Sequence, residues 1–371
     1  MKVGYSYLKD QFSDPQPILD AFKAQLGRCD FTFGPELEEF EKKMAGYINV
    51  PYCLGTSSGT MALIMMLQSA GVGWGDEVIT VSQTFVATIG AIVAVGARPV
   101  FIDVLDDFTM NPALIEEMIT PRTRAIMPVH YSGCPAHMHE ILAVAEKHNL
   151  PVLEDSCCAI SGRLDGKHVG TFGASGAFSV HPLKNLNVWG DGGLVVTNSK
   201  KTYDDFFLLR NHGLSGRDEV HVFGWNGRLD TIQAIVGNYL FPQIDDITDK
   251  RIANAQKYDK ALSDPSFKGI ITLPPRRSNA RHVYHMYMFL ADKRDALLAH
   301  LQKKEIEAKI HYPIPMHRQK AVLDQKTPFR CGNLSKTDAQ CKSLITLPVH
   351  QHLSSDQTDF VIEQIRAFYR K

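Results

Sequence analysis

The sequence lacks an excess of charge of either sign. Its 371 residues include 40 Lys and Arg against 40 Asp and Glu, so the formal net charge at pH 7 is zero. Proteins that bind nucleic acid or anionic membranes mainly through charge carry a basic surplus. The balance therefore argues against both kinds of partner.

Long apolar runs and paired cysteines are also missing. No segment is long and apolar enough to predict a membrane span, and the N-terminal residues MKVGYSYLKDQF lack the apolar region of a signal peptide. The seven cysteines are scattered and include no CxxC pair, which argues against a disulfide framework or a zinc site. We therefore predict a cytoplasmic protein without a metal centre.

The middle of the chain alternates β-branched segments with helical ones. A helix is predicted over Met138–Asn149. Alternation of this kind predicts an α/β fold with a mostly parallel sheet, whose ligands bind beyond the carboxyl ends of its strands. The predicted strands are Glu77–Val81, Pro99–Val104, Ala125–Val129, Val152–Glu154 and Leu194–Thr197.

After about Ile244 the pattern changes. A strand is predicted over Val283–Leu290, and helices over Arg294–Lys303 and Ser354–Phe368. The length of the chain suits one large domain with a smaller one attached. We therefore predict a large α/β domain with an N-terminal arm over residues 1–243, and a small α+β domain over residues 244–371.

A Gly/Ser/Thr turn leads into an apolar helix in the segment GTSSGTMALIMMLQSAG, Gly55–Gly71. Because that helix is apolar on every side it must be buried, and its first N–H groups, at Gly59 and Thr60, have no partner within it. Free amides and the helix dipole together suit a phosphate. The alternative is an ordinary helix start capped by Ser57 or Ser58.

One ionisable residue follows a predicted strand, and another precedes a Gly-rich turn that leads into one. Asp155 ends the segment PVLED, where it either holds a cationic ligand group or serves as a cap or structural ion pair. Lys184 lies among apolar residues in FSVHPLKNLNVWGDGG. Burial would lower the pKa of this lysine and make its amine nucleophilic toward carbonyls, although most lysines are solvated surface residues.

These features together fit pyridoxal 5′-phosphate (PLP). This cofactor needs a phosphate site, a lysine for its Schiff base and a carboxylate for its pyridine nitrogen. Phe85 follows the strand that ends at Val81, so its ring either stacks on the cofactor or packs in the core.

At these residues the sequence resembles the PLP-dependent sugar aminotransferases of the DegT/DnrJ/StrS family, which have fold type I. The similarity runs from FTFGPELEEFE through SSGTMAL, VLEDS and FSVHPLKNLNVWGDGG to WNGRLDTIQA and HYPIPMHRQ. The resemblance implies that Lys184 is the catalytic lysine and binds PLP. The implied cofactor site consists of Ser58, Gly59, Thr60, Phe85, Asp155, Ser179, Lys184 and, from a neighbouring subunit, Asn226.

The resemblance also implies substrate contacts for Arg228, Tyr312 and His317. An interface ion pair is the alternative for Arg228, and packing is the alternative for the other two. Cys158 departs from the family pattern, in which many members have a polar residue that contacts the cofactor ring hydroxyl. Since cysteine is a weak donor, we expect Cys158 to be a small packing residue.

The expected protein is therefore a homodimeric aminotransferase with shared active sites, acting in amino-sugar or polysaccharide biosynthesis. By family habit its donor is L-glutamate and its acceptor a nucleotide-linked keto-sugar. Some relatives carry histidine at the lysine position and act as dehydratases, so Lys184 favours transamination. The alternatives are a cyclitol ketone or small phosphorylated ketone as acceptor, and a PLP-binding regulatory protein without turnover.

Overall fold

The strands and helices are given by a computed structural model that describes residues 1–324 and 328–370. The strands are β1 (Tyr52–Thr56), β2 (Glu77–Val81), β3 (Arg98–Ile102), β4 (Thr123–Ile126), β5 (Leu153–Asp155), β6 (Arg163–Leu164), β7 (Lys167–His168), β8 (Ser175–Ser179), β9 (Gly193–Thr197), β10 (Ile271–Thr272), β11 (Ala280–Arg281), β12 (Tyr287–Ala291), β13 (Arg330–Cys331) and β14 (Leu344–Leu347). The helices are α1 (Leu8–Gln11), α2 (Gln16–Leu26), α3 (Pro35–Ile48), α4 (Gly59–Ser69), α5 (Val86–Ala94), α6 (Ile115–Met118), α7 (Met138–Lys147), α8 (Lys200–Leu209), α9 (Thr231–Leu240), α10 (Ile244–Leu262), α11 (Arg294–Lys303), α12 (Lys320–Leu323), α13 (Ser335–Ser343) and α14 (Ser355–Tyr369).

A central sheet positions the rest of the molecule. Strands β13, β3, β2 and β4 lie side by side in that order and are parallel. A parallel bridge between Ile126 and Val152 continues the sheet to β5, β8, β9 and β1. Strand β9 runs antiparallel to both of its neighbours. The prediction of an α/β fold with a mostly parallel sheet is confirmed.

Helices cover both faces of this sheet, as parallel sheets require. Helix α4 packs against one face, where Ala62–Leu67 is buried with Leu54, Val78 and Val195. Helix α7 packs against the other face through Met138 and Ile141. Every residue of β2 and β9 is buried, which explains why their sequences, EVITV and GLVVT, show no regular alternation of apolar and polar residues.

The C-terminal part of the chain forms a second, antiparallel sheet of β10, β12 and β14. Its core is shared with α10, α11 and α14. Strand β13, from the same part of the chain, pairs instead with β3 of the central sheet. The residues after 244 thus contribute strands to both sheets. The predicted domain boundary between residues 243 and 244 stays a prediction.

Among the described residues, no helix is both long enough and apolar enough to cross a membrane.

Candidate active site

A cavity of about 280 Å³ opens where several strands of the central sheet end. It is lined by residues that follow β2 and β5, by the last residue of β8 and by the start of α4. The cavity brings together most of the site residues that the sequence predicts: Ser58, Gly59, Thr60, Phe85, Asp155, Ser179, Lys184 and Tyr312.

The start of α4 presents unpaired amides to this cavity. Ser58 has extended backbone and its Oγ accepts the N–H of Met61 at 3.1 Å, so the helix begins at Gly59 with a side-chain cap. Within the described residues the N–H groups of Gly59 and Thr60 have no acceptor. The capping alternative is therefore correct for Ser58, and the cap leaves two amides able to bind an anion.

Close packing fixes this helix start against β8 and β9. A Cβ atom on Gly59 would lie 2.9 Å from Cys157 Sγ and 3.0 Å from the Cβ of Ser179. A Cβ atom on Gly193 would lie 2.5 Å from the carbonyl of Ser58. Glycine is thus required at both positions, and the close approach holds Ser179 beside the two free amides.

Asp155 ends β5 as a buried carboxylate with neutral partners. Its Oδ2 accepts the hydroxyl of Thr88 at 2.7 Å, and its Oδ1 accepts the N–H of Cys157 at 3.1 Å. The side chain forms no salt bridge within the described residues, which contradicts the ion-pair alternative. A buried carboxylate held by neutral donors is suited to a cationic ligand group such as a protonated pyridine nitrogen.

Lys184 reaches the cavity from the loop between β8 and β9. Its Nζ donates to the Sγ of Cys158 at 3.2 Å and lies 3.5 Å from Nε2 of His285. The carbonyl of Lys184 accepts the hydroxyl of Tyr7 at 2.7 Å and an amide N–H of Asn187 at 3.0 Å, so the loop is held in place on its far side.

The pKa of Lys184 differs from the expectation. Burial on its own lowers the pKa of the ammonium group, but the sulfur atoms of Cys158 and Cys157 and the carboxylate of Asp155 act in the opposite direction, and the pKa lies above its ordinary value. Burial raises the pKa of both thiols, and the Lys184 ammonium acts on each of them in the opposite direction. The predicted lowering is wrong because it considered burial without these neighbours.

Phe85 and Tyr312 both line the cavity. Their ring centroids lie 6.0 Å apart, and the Phe85 side chain is 53% exposed. The alternative that Phe85 packs in the core is therefore wrong. The ring is available to a planar ligand that enters the cavity.

Three predicted site residues lie outside the cavity of their own chain. Asn226 is exposed and pairs with Asn211 through an isolated bridge. Arg228 donates to Oδ1 of Asn211 at 2.7 Å. His317 contacts Oγ of Ser82 at 2.7 Å through Nδ1 and Oδ1 of Asp338 at 3.3 Å through Nε2. The roles of these three residues stay predictions.

The structure also adds residues to the cavity that the sequence did not indicate. Tyr5, His285 and His311 also line it, and His285 is the one of these three that lies 3.5 Å from Nζ of Lys184. They come from the N-terminal segment and from two positions in the C-terminal part of the chain. No local pattern of the sequence connects them, because only the packing of the two sheets brings them together.

This sequence and this fold have known counterparts. A protein named Pleiotropic regulatory protein, from Geobacillus stearothermophilus, is 36% identical over 374 residues, which cover 100% of this chain and 99% of that protein. The UDP-N-acetyl-3-dehydro-alpha-D-glucosamine 3-aminotransferase of Acidithiobacillus ferrooxidans is 37% identical over 367 residues, which cover 99% and 96%. The crystal structure of S. venezuelae DesV in complex with a ketimine intermediate matches with a TM-score of 0.93 at 34% identity, covering 100% of this chain and 99% of that one.

The similarity is one of family as well as of fold. The model of the DegT/DnrJ/EryC1/StrS aminotransferases matches residues 15–366, a range that contains the cavity residues from α4, β5, β8 and the lysine loop. Since the match covers nearly the whole chain, the protein belongs to the DegT/DnrJ/EryC1/StrS aminotransferase family.

Proposed function

We propose that the protein is a PLP-dependent aminotransferase that moves an amino group from L-glutamate to a nucleotide-linked keto-sugar. The observation that carries the proposal is the meeting of three groups in one cavity. These are the free amides at the start of α4, the buried carboxylate of Asp155 and the amine of Lys184. The amides suit the phosphate of PLP, the Asp155 carboxylate suits its pyridine nitrogen, and the Lys184 amine suits its aldehyde.

Each of these groups has a separate task. The amides of Gly59 and Thr60, with the hydroxyl of Ser179, hold the phosphate. Asp155 would keep the proton on the pyridine nitrogen, and the ring of Phe85 would pack against the cofactor ring. When bound, PLP withdraws electrons from the carbon that carries the amino group.

Lys184 has two roles in this proposal. Its Nζ would hold the cofactor through the aldehyde group and, once released by the donor, would take the proton from the α-carbon of the donor and pass it on to the cofactor. In the second half of the reaction the same Nζ moves the proton in the reverse direction. The loop that carries Lys184 is held by Tyr7 and Asn187, so the amine keeps its position when it is released.

The acceptor class is supported by the name of the Acidithiobacillus relative, which describes amination of a UDP-linked 3-keto-sugar. The name of the Geobacillus relative favours a second candidate, a PLP-binding regulatory protein without turnover. Lys184 and Asp155 would have no task in such a protein beyond binding the cofactor.

A two-step experiment separates these candidates. The enzyme with PLP is treated with L-glutamate, which should bleach its colour as the amino form accumulates, and excess glutamate is removed. Nucleotide-linked keto-sugars, a keto-cyclitol and a small phosphorylated ketone are then offered separately. Return of the colour with keto-sugars alone supports the proposal, return with another ketone corrects the acceptor, and no bleaching with any amino acid supports the regulator.

We also propose a cytoplasmic location. All seven cysteines are free, as is usual in reducing compartments.

We further propose that two chains share their active sites. Asn226 is exposed, while its segment is anchored to its own chain through the bridge to Asn211 and the hydrogen bond from Ser57 N–H to the carbonyl of Gly227. From this position the Asn226 amide is free to reach the phosphate in a partner chain. In a two-fold dimer this contact occurs twice.

Complementation tests the shared site. Lys184→Ala and Asn226→Ala are prepared separately, shown to be impaired, and refolded as an equal mixture. In a mixed dimer one site contains both substitutions and the other contains neither. About half of the dimers are mixed, and each has one intact site of two, so activity should recover to roughly a quarter of wild type. No recovery despite demonstrated exchange of subunits would show that Asn226 does not serve a partner's site.

Cys158 should affect the pKa of Lys184 rather than serve only as a packing residue. The sulfur of Cys158 accepts a hydrogen bond from the Lys184 ammonium and helps to raise the pKa of that group. The substitution Cys158→Ala should therefore lower the pKa of Lys184. PLP attaches only to the neutral amine, and its attachment should therefore extend to lower pH in the variant. Because sulfur bonds are weak, kcat should change by less than about tenfold. The pH profile of colour development after adding PLP measures the shift, and an unchanged profile would indicate packing alone.

A further inference from the structure

The N-terminal segment provides one wall of the cavity. Val3 donates its N–H to the carbonyl of Glu305 at 3.0 Å, and Tyr5 donates its N–H to Oε2 of Glu307 at 2.9 Å, which fixes the segment to the C-terminal part of the chain. Tyr5 lines the cavity, and its ring centroid lies 5.7 Å from that of His311. Within the described residues its hydroxyl has no hydrogen-bond partner.

A buried positive charge lies behind this wall. Arg251 is 2% exposed and donates to Oε1 of Gln351 at 3.0 Å and to the carbonyl of Tyr284 at 3.3 Å. Its Nη2 has no partner, and Arg251 forms no ion pair within the described part of the chain. The guanidinium carbon lies 5.0 Å from the centroid of the Tyr7 ring, which offsets part of the charge. Buried charges are normally paired with a carboxylate, so part of the positive field remains.

That field reaches residues that line the cavity. Burial lowers the pKa of His285 well below its ordinary value, and Lys184 and Arg251 lower it further. Burial raises the pKa of Tyr5 while Arg251 acts in the opposite direction, so the Tyr5 hydroxyl keeps its proton and remains a donor. The carboxylates that line the cavity, Asp155 and Asp191, form no bond to Tyr5 or Arg251. Glu307 is exposed, so solvent screens its charge.

We propose that Tyr5 binds the α-carboxylate of the amino donor, with Arg251 supplying the favourable field. The inference rests on the proposed function and assigns a residue to the recognition of its donor. In an α-amino acid the carboxylate is one carbon away from the nitrogen that exchanges with Lys184. It must therefore lie in the cavity that Lys184 reaches, and Tyr5 lines this cavity with a hydroxyl that has no hydrogen-bond partner among the described residues.

The substitution Tyr5→Phe removes this hydroxyl and keeps the aromatic ring. The apparent dissociation constant for L-glutamate, from the rate of bleaching under single-turnover conditions, should rise about tenfold to a hundredfold, the range for a hydrogen bond to a charged group. Bleaching by ethylamine, which has no carboxylate, and the return of colour with a keto-sugar should keep their wild-type rates. The matched control is Tyr369→Phe, whose hydroxyl donates to the carbonyl of Asp292 outside the cavity.

Calorimetric binding of 2-oxoglutarate to the PLP form gives a readout independent of turnover. Wild type and Tyr369→Phe should bind it equally, and Tyr5→Phe more weakly. Unchanged binding of glutamate and 2-oxoglutarate by Tyr5→Phe would overturn the inference. An equal decrease in the rates measured with glutamate, ethylamine and the keto-sugar would also overturn it, because Tyr5 would then have a structural role. If wild type bound 2-oxoglutarate through Tyr5 but never transaminated, the proposed function would fail while the carboxylate site remained.

Discussion

Replacing Lys184 with alanine should remove transamination and leave the protein folded. Lys184 is the only lysine or arginine among the described residues that line the cavity, so no other amine there can bind PLP covalently and move the proton. Proton transfer by a positioned group contributes about 10² to 10⁴-fold, and the loss of covalent binding adds to that. We expect turnover to fall by at least about 10³-fold.

Folding of this variant is checked by its thermal unfolding. The lost hydrogen bond to Cys158 is weak, and the contacts of the Lys184 carbonyl with Tyr7 and Asn187 remain. Lys201→Ala, at an exposed position on α8, is the matched control and should behave as wild type. Near-normal turnover in Lys184→Ala would refute the assignment.

Replacing Asp155 with asparagine should cost at least about a hundredfold in kcat, the scale for one well-placed electrostatic group. Asparagine keeps the shape and can still accept the Thr88 hydroxyl, but it carries no charge to keep the pyridine nitrogen protonated. PLP should still bind, since the amides at the start of α4 and Lys184 are unchanged. Steady-state kinetics at saturating PLP measure the effect, with the exposed Asp356→Asn as control. A kcat close to that of wild type would show that Asp155 has only a structural role.

The fold was predictable where the pattern of apolar residues is strong. The predicted strand Glu77–Val81 and helix Arg294–Lys303 have the same bounds in the structure. Strand β8, with the sequence SGAFS, was missed because small residues give no β-branched signal. Its small side chains instead allow the close approach of neighbouring backbones: a Cβ atom on Gly176 would lie 2.4 Å from Gly170.

The candidate site was predictable in part for a physical reason. Asp155 and Ser179 end strands and Gly59 begins a helix, so the topology of a parallel sheet brings them to one edge. Tyr5 and His285 reach the cavity through the packing of distant segments, which no local pattern records. The pKa of Lys184 depends on the distance to Cys158, which spacing along the chain cannot supply.

The most direct test of the central claim is to identify the lysine that holds the cofactor. The protein is saturated with PLP, reduced with borohydride to make the link permanent, digested and mapped by mass spectrometry. We predict one pyridoxyl group per chain, on the peptide that contains Lys184. A label on another lysine, or no label on a folded protein saturated with PLP, would contradict the assignment of this cavity as the active site.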